Sequence, residues 1–428
     1  MARPIRIAVF VVVALLIGAC APEAETPTET TQSPETTVSP ETTAEPDEAG
    51  DNVLRLGAAL ALSGDVSREG NFLRDGYEYW KEHVNARGGV RVGDQQYMVE
   101  IIYYDDTSNP ETGARLTERL ITEDEVDFVL GPFSSGIQIN TSVVAERHGV
   151  LTLAPLANSP AIYERGHQYI FSILPPATSY LNHNLEAAVA VDPTVQTVAI
   201  MARDDPFGTA VAAGAAAKAE ELGLEVIYNE PYPPEAPDLS SPLTEIRDLN
   251  PDIFLASTLF ADAVVITRQA IDLRVCPKMF GLSVGPAIPD YPNEIGPDAN
   301  FVTGAEWWLP TLEWEDDIIG TAAEFGADFE EQFGYTPGYH TASGVAAGVI
   351  LEKVLERAGT LDTEAVREEL LAFDEEIFWG PTAWDETGQN IAGASVAVQV
   401  QDQQIEAIWP EAAATADPVY PFVCWTDR

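Results

Sequence analysis

The stretch LGPFSSG, residues 130–136, places the hydroxyls of Ser134 and Ser135 directly after the apolar run 126–130 and before a helix-like segment. Gly-Pro ends the strand, so the hydroxyls fall where a helix begins. Serines there can cap the helix, and the free N–H groups beside them can also hold an anion. Comparable loops recur as ALSGDVSREG (61–70), APLANSP (154–160), ARDDPFG (202–208), STLFAD (257–262) and GLSVG (281–285). Loops rich in Gly, Ser and Asn at so many strand ends indicate a binding site rather than coincidental caps. GLSVG also satisfies the nucleophile-elbow pattern G-x-S-x-G. A hydrolase would then pair Ser283 with His340, the only histidine after it. Asp105-Asp106 and Asp204-Asp205 precede helical segments with Pro nearby and read as capping residues. The five histidines have no metal-ligand spacing, and neither a Walker A motif nor a dinucleotide fingerprint occurs, so no metal or cofactor is expected.

Positioning such loops requires strands that end in one plane. From residue 53 onward short apolar runs alternate with helical patterns. VLRLGAAL, YMVEIIYY, VDFVLG and VLTLAP read as strands. The helices between them put Leu73, Tyr77, Trp80 and Val84 on one face, or follow Asn109-Pro110. After Pro175-Pro176 the rhythm restarts with TVQTVAIMA, LEVIY, PDIFLAS and KMFG. Beyond Pro310 helices are expected over 314–333, 344–357 and 363–372, and a strand pair, ASVAVQVQ and QIEAIW, closes the pattern. The fold class is therefore α/β, with two doubly wound parallel-sheet lobes. Ligands bind outside the carboxyl ends of such strands, so the cleft between two facing lobes is the natural site.

The N-terminus reads as a removable leader. Arg3 and Arg6 precede a 13-residue apolar or small-residue run, 7–19, too short to span a bilayer as a helix. Its end, LLIGAC, resembles a bacterial lipobox, with Cys20 as the lipidated residue; an ordinary signal peptide with an incidental Cys is the alternative. Residues 21–50 carry eight acidic side chains and no Lys, Arg or aromatic, which describes an extended tether. A lipid-anchored protein on the outer face of the membrane follows, touching the membrane only through that anchor. The net charge is −47, of which −41 lies on residues 51–428. Such a charge repels nucleic acid and anionic lipid. With Cys20 assigned to lipid, Cys276 and Cys424 are expected to form a disulfide outside the cell, two free thiols being the alternative.

The ordered series LRLGAALALSGDVSREG, DGYEYWKEHVNARGGV, DDTSNPETG, LGPFSSG, VLTLAPLANSPAIYERG, DDPFG and GPTAWDETGQNIAG resembles the leucine/isoleucine/valine-binding proteins of ABC importers. The resemblance implies a type I periplasmic-binding fold, with a three-segment hinge between the lobes. It implies an N-terminal lobe of 53–175 plus 309–380 and a C-terminal lobe of 176–308 plus 381–428. It further implies a non-enzymatic monomer that captures a small carboxylate-bearing solute, branched-chain-amino-acid-like or related, and hands it to an ABC permease. A ligand sensor of the same fold is the alternative.

Residue by residue, the resemblance assigns Ser135, with Ser134 beside it, to the ligand carboxylate. Leu156, Ala157 and Asn158 match the second carboxylate-binding turn. Phe207 stands where amino-acid binders carry an aromatic hydroxyl, Ser283 where they carry an acid, and Phe260 or Leu259 near a further pocket tyrosine. Glu69 and Arg68 lie on a pocket loop, and Trp307-Trp308 either roof the cleft or pack as core. A buried ammonium without a counter-charge costs several kcal/mol, comparable with the roughly 8 kcal/mol of a micromolar complex. These departures speak against a zwitterionic α-amino acid, unless Glu69 or Asp262 supplies the charge, and leave a carboxylate without an ammonium, a neutral amide or a cation as the alternatives.

Overall fold

The computed structural model describes residues 52–428; the leader (1–19), Cys20 and the tether lie outside the described residues. The first half runs β1 (Val53–Leu60), α1 (Ser67–Ala86), β2 (Val90–Val92), β3 (Gln95–Asp105), α2 (Pro110–Thr122) and β4 (Phe128–Leu130). It continues through α3 (Ser135–His148), β5 (Thr152–Ala154), α4 (Pro160–Tyr163) and β6 (Ile170–Ser172). These strands form a six-stranded sheet in the order β2-β3-β1-β4-β5-β6, parallel except for β2.

The second half runs α5 (Asn182–Val191), β7 (Thr197–Arg203), α6 (Pro206–Glu221), β8 (Glu225–Tyr232), α7 (Ser240–Leu249) and β9 (Ile253–Ala256). Then come α8 (Phe260–Leu273), β10 (Met279–Leu282), α9 (Asp290–Ile295) and β11 (Thr303–Glu306). β9 and β10 are buried along their whole length, which is why both read as unbroken apolar runs. The remainder comprises β12 (Glu315–Asp316), β13 (Gly320–Thr321), α10 (Ala322–Phe333), α11 (Tyr339–Ala358) and α12 (Thr363–Leu371). A hairpin of β14 (Asp374–Ile377) and β15 (Gly380–Ala383) precedes β16 (Val396–Gln401) and β17 (Gln404–Trp409). The second sheet has the order β17-β16-β11-β10-β9-β7-β8, with β16 and β17 antiparallel.

The chain passes between the two sheets three times: after β6, after β11, and between β15 and β16. Side chains tie these crossings together. Asn390 donates to the Ile173 carbonyl (2.6 Å) and Trp384 to that of Ser172 (2.6 Å). Cys276 and Cys424 are joined in a disulfide with Cα atoms 5.3 Å apart, pinning the C-terminal segment beside the start of β10. No helix among the described residues is long and apolar enough to cross a membrane.

One expectation is corrected. The helix expected from 314 starts only at Ala322, because Glu315–Thr321 folds into the β12–β13 hairpin. Asp316 sets that turn by accepting the N–H groups of Ile318 (2.8 Å) and Ile319 (2.7 Å). Thr321 and Glu324 then close a capping box that starts α10.

α11 packs against α1 at backbone range. A Cβ on Gly348 would lie 2.1 Å from Trp80, and one on Gly76 would lie 2.2 Å from the Thr341 carbonyl oxygen. Gly348→Ala is therefore expected to cost about 1–3 kcal/mol through overpacking. A urea melt followed by tryptophan fluorescence checks this; an unshifted midpoint would mean the two helices part easily.

Candidate functional site

α3 opens the site. The Ser134 carbonyl accepts the N–H groups of Ile137 (3.1 Å) and Gln138 (2.9 Å). The N–H groups of Ser135 and Gly136 have no acceptor among the described residues, as the first turn of a helix leaves them. Ser135 Oγ accepts the Ser159 N–H (3.2 Å), which leaves its own hydrogen to donate elsewhere. Three donors therefore converge at the positive end of a helix, a geometry suited to a carboxylate.

The loop after β5 forms the adjoining wall. Asn158 Nδ2 donates to the Pro175 carbonyl (2.7 Å), and the Ala177 N–H returns to the Asn158 carbonyl (2.9 Å). That pair of bonds fixes the loop to the first crossing. From the second sheet Phe207, in the first turn of α6, Leu259, just before α8, and Val284, just after β10, face this wall. Asp205 caps α6 by accepting the Gly208 N–H (2.6 Å).

A small closed cavity lies between them. Ser134, Ser135, Leu156 and Asn158 line it from one side, and Phe207, Leu259 and Val284 from the other. Phe133, Leu174, Tyr180 and Tyr339 complete the wall. It leaves about 10 Å³ for the centre of a water molecule, room for one. Ser159 Oγ donates across to the Pro206 carbonyl (2.7 Å), and the Phe260 N–H to Glu69 Oε1 (3.3 Å). Arg68 spans the same gap, stacked 4.0 Å over the Phe260 ring and ion-paired with Asp290. Any larger solute can enter only if these contacts part.

Five of the ten candidate ligand residues line the cavity and five do not. Ala157 is turned away, its carbonyl accepting the Tyr163 hydroxyl (2.6 Å). Glu69 is buried but not part of the lining, and burial pushes its carboxyl up against the opposing pull of backbone N–H groups, that of Phe260 among them. Phe260 faces Arg68, and its neighbour Leu259 takes the wall position. Trp307 is buried edge-on to Tyr180, with ring centres 5.2 Å apart, and Trp308 packs as core, donating to the Phe378 carbonyl (3.0 Å).

Ser283 sits behind the wall. Its hydroxyl accepts the Thr258 N–H (2.8 Å) and donates to the Thr258 carbonyl (3.1 Å), linking the loops after β9 and β10. It makes no hydrogen bond to His340. That imidazole is buried against Tyr339 and Phe133, and burial lowers its pKa to about 3, leaving it neutral. The elbow reading of GLSVG has no supporting geometry.

No carboxylate among the described residues lines the cavity. Asp262 is buried with Arg203, which also binds Asp205 (2.6 Å). Sequence reasoning missed Phe133, Leu174, Tyr180, Tyr339 and Val284. Phe133 and Val284 stand inside motifs it had singled out, LGPFSSG and GLSVG. Tyr180 and Tyr339 come from the crossings, and their only signal is an aromatic shortly after a Pro- or Gly-marked break.

Residues 53–404 match the family model of the periplasmic binding proteins. The Leu/Ile/Val-binding protein homolog 7 of Brucella abortus (strain 2308) is 26% identical over 382 residues, covering 85% of this chain and 93% of that protein. The branched-chain amino acid transporter substrate-binding protein LivJ of Streptococcus pneumoniae, in complex with isoleucine, superposes with a TM-score of 0.73 at 18% identity. That likeness covers 86% of this chain and 100% of LivJ. A solute-binding protein of an ABC transporter from Rhodopseudomonas palustris BisB5, in complex with 3,4-dihydroxybenzoic acid, gives 0.71 at 19%, covering 86% and 98%. Taken with the two-sheet fold and its enclosed cleft, these matches establish that the chain belongs to the periplasmic binding protein family, as a substrate-binding protein of the leucine/isoleucine/valine-binding type.

Proposed function

We propose that this protein captures a small carboxylate that carries no ammonium, by closure of two lobes, and delivers it to an ABC permease from a lipid anchor at Cys20. The moving bodies are 53–175 plus 309–383 and 176–308 plus 384–428, the last boundary falling at the end of β15 rather than at 380 because that strand pairs with β14. The observation that carries the reading is the cavity wall, where Ser135 opens a helix with free N–H groups while the rest is aliphatic, aromatic, hydroxyl or amide, and no carboxylate among the described residues lines it. A zwitterion would leave its ammonium facing Phe207 and Leu259, at a cost of several kcal/mol. Ligand docks first on Ser135 and the 156–158 loop, then Phe207, Leu259 and Val284 close over it. Closure shifts only by the ligand's differential affinity for the closed form.

The chemistry of the relatives is consistent with either outcome, since one binds isoleucine and another an aromatic acid. Calorimetry with leucine, isoleucine and valine against 4-methylpentanoate, 3-methylbutanoate and benzoate decides between them. Tighter binding of the ammonium-free acids is expected; a preference for leucine overturns the reading. Ser135→Ala removes one hydrogen bond to a charged group and should weaken the best acid by about 1–3 kcal/mol. Unchanged affinity would take Ser135 out of the site.

A further inference from the structure

Tyr180 and Tyr339 both line the cavity, both are about 1% exposed, and their hydroxyl oxygens are 2.5 Å apart. They come from different parts of the hinge. Tyr180 follows the first crossing, and Tyr339 opens α11 after the second. Two phenols carry two hydrogens, and the bond between them uses one. Neither hydroxyl donates to another group among the described residues; the Trp307 indole N–H is a further donor toward Tyr180, not an acceptor. The buried acid Glu306 accepts the N–H groups of Tyr339 (3.0 Å) and Trp307 (3.3 Å) through Oε1 and receives no hydrogen bond from either phenol. Burial raises the pKa of both phenols, so both keep their protons. One O–H therefore remains without a protein acceptor at the cavity wall, and an unmet buried donor is costly.

The surrounding surface is aromatic. Phe207 meets Tyr180 edge-to-face at 5.2 Å, and Phe133 and Tyr339 both pack against the His340 ring. Rings in such arrangements favour a flat, apolar partner.

We infer that the Tyr180–Tyr339 phenol pair selects a ligand with an oxygen substituent on an aromatic ring, in addition to its carboxylate. The ligand class is then an oxygen-substituted aromatic carboxylate, with its carboxylate at Ser135 and Gly136 and its ring oxygen accepting the unmet O–H. This rests on the carboxylate reading proposed above and names the class within it.

The test is calorimetry of the purified protein with benzoate, 3-hydroxybenzoate and 4-hydroxybenzoate, repeated with Tyr180→Phe and Tyr339→Phe. In the wild type the better hydroxybenzoate should bind about 3–10-fold tighter than benzoate, the size of one neutral hydrogen bond. In at least one variant that ratio should fall to within about 2-fold of unity. A cooperative thermal melt close to that of the wild type reports that each variant is folded. Equal binding of the three acids to the wild type, or a ratio that survives both variants, overturns the phenol-pair inference and leaves the carboxylate reading standing. If leucine binds and none of the three acids does, the carboxylate reading fails and this inference fails with it.

Discussion

Asp262→Ala should be among the most damaging single changes in the second half of the chain, costing about 3–5 kcal/mol, because it leaves the buried Arg203 guanidinium short of its partner. Arg203 and Asp262 side chains are only 8% and 2% exposed, and Asp262 also accepts the Leu259 N–H (3.2 Å) at the start of α8. Asp205 stays 2.6 Å from the guanidinium, so the loss falls toward the lower end. Urea unfolding of the variant gives the number. A double variant, Arg203→Leu with Asp262→Ala, should be less damaged than Asp262→Ala alone, since it removes the orphaned charge. If the double variant is the weaker of the two, the pair contributes net attraction rather than mutual neutralisation. Ligand binding should fall in Asp262→Ala as well, since Leu259 loses the bond that holds it in the cavity wall.

The second large effect is pH dependent. Asp106 is fully buried after β3, with Oδ1 accepting the Ser108 N–H (2.8 Å) and Oδ2 without a partner among the described residues. Burial, opposed by the Ser108 N–H and reinforced by Asp105, raises its pKa to about 7. The folded state thus holds a proton that the unfolded chain releases at ordinary carboxylate pH. Stability from this group is fully present below about pH 4 and is lost as pH rises through 7. Between pH 5 and 8 the loss amounts to about 2–3 kcal/mol. Burial raises Glu69 and Glu306 in the same sense, so the whole protein should weaken toward alkaline pH. Asp106→Asn, compared with the wild type in urea at pH 5 and pH 8, should be the more stable at pH 8 and lose less between the two. Parallel pH profiles would place the proton uptake elsewhere.

How much of this was legible in the sequence follows from where each contact lies. β1, β9 and β10 are short apolar runs, and α2 and α6 begin at Asn109-Pro110 and Asp205-Pro206, caps that act within a few residues. Local signals fix such elements. The β12–β13 hairpin is different, since Asp316 also accepts the Phe378 N–H (3.0 Å), 62 positions away. The same division runs through the site. Ser135 and its free N–H groups are a property of one helix start and were readable there. The wall from Tyr180 and Tyr339 joins residues 159 apart, and no local pattern announces such a meeting. Ser283 shows the converse: a motif correct in spelling whose hydroxyl is held by Thr258.

The three passages between sheets carry a consequence for how the chain comes into being. The first sheet depends on α11, whose Gly348 and Gly344 seat against Trp80 and Leu73 of α1. The second depends on β16 and β17 and on Cys424. At roughly 5–20 residues per second of synthesis, α11 emerges on the order of 15–60 s after α1. Throughout that interval the face of Trp80 meant for Gly348 is open to water and to other chains. Neither half can reach its final form while the other is still being made, so nascent chains need shelter until almost the last strand has arrived.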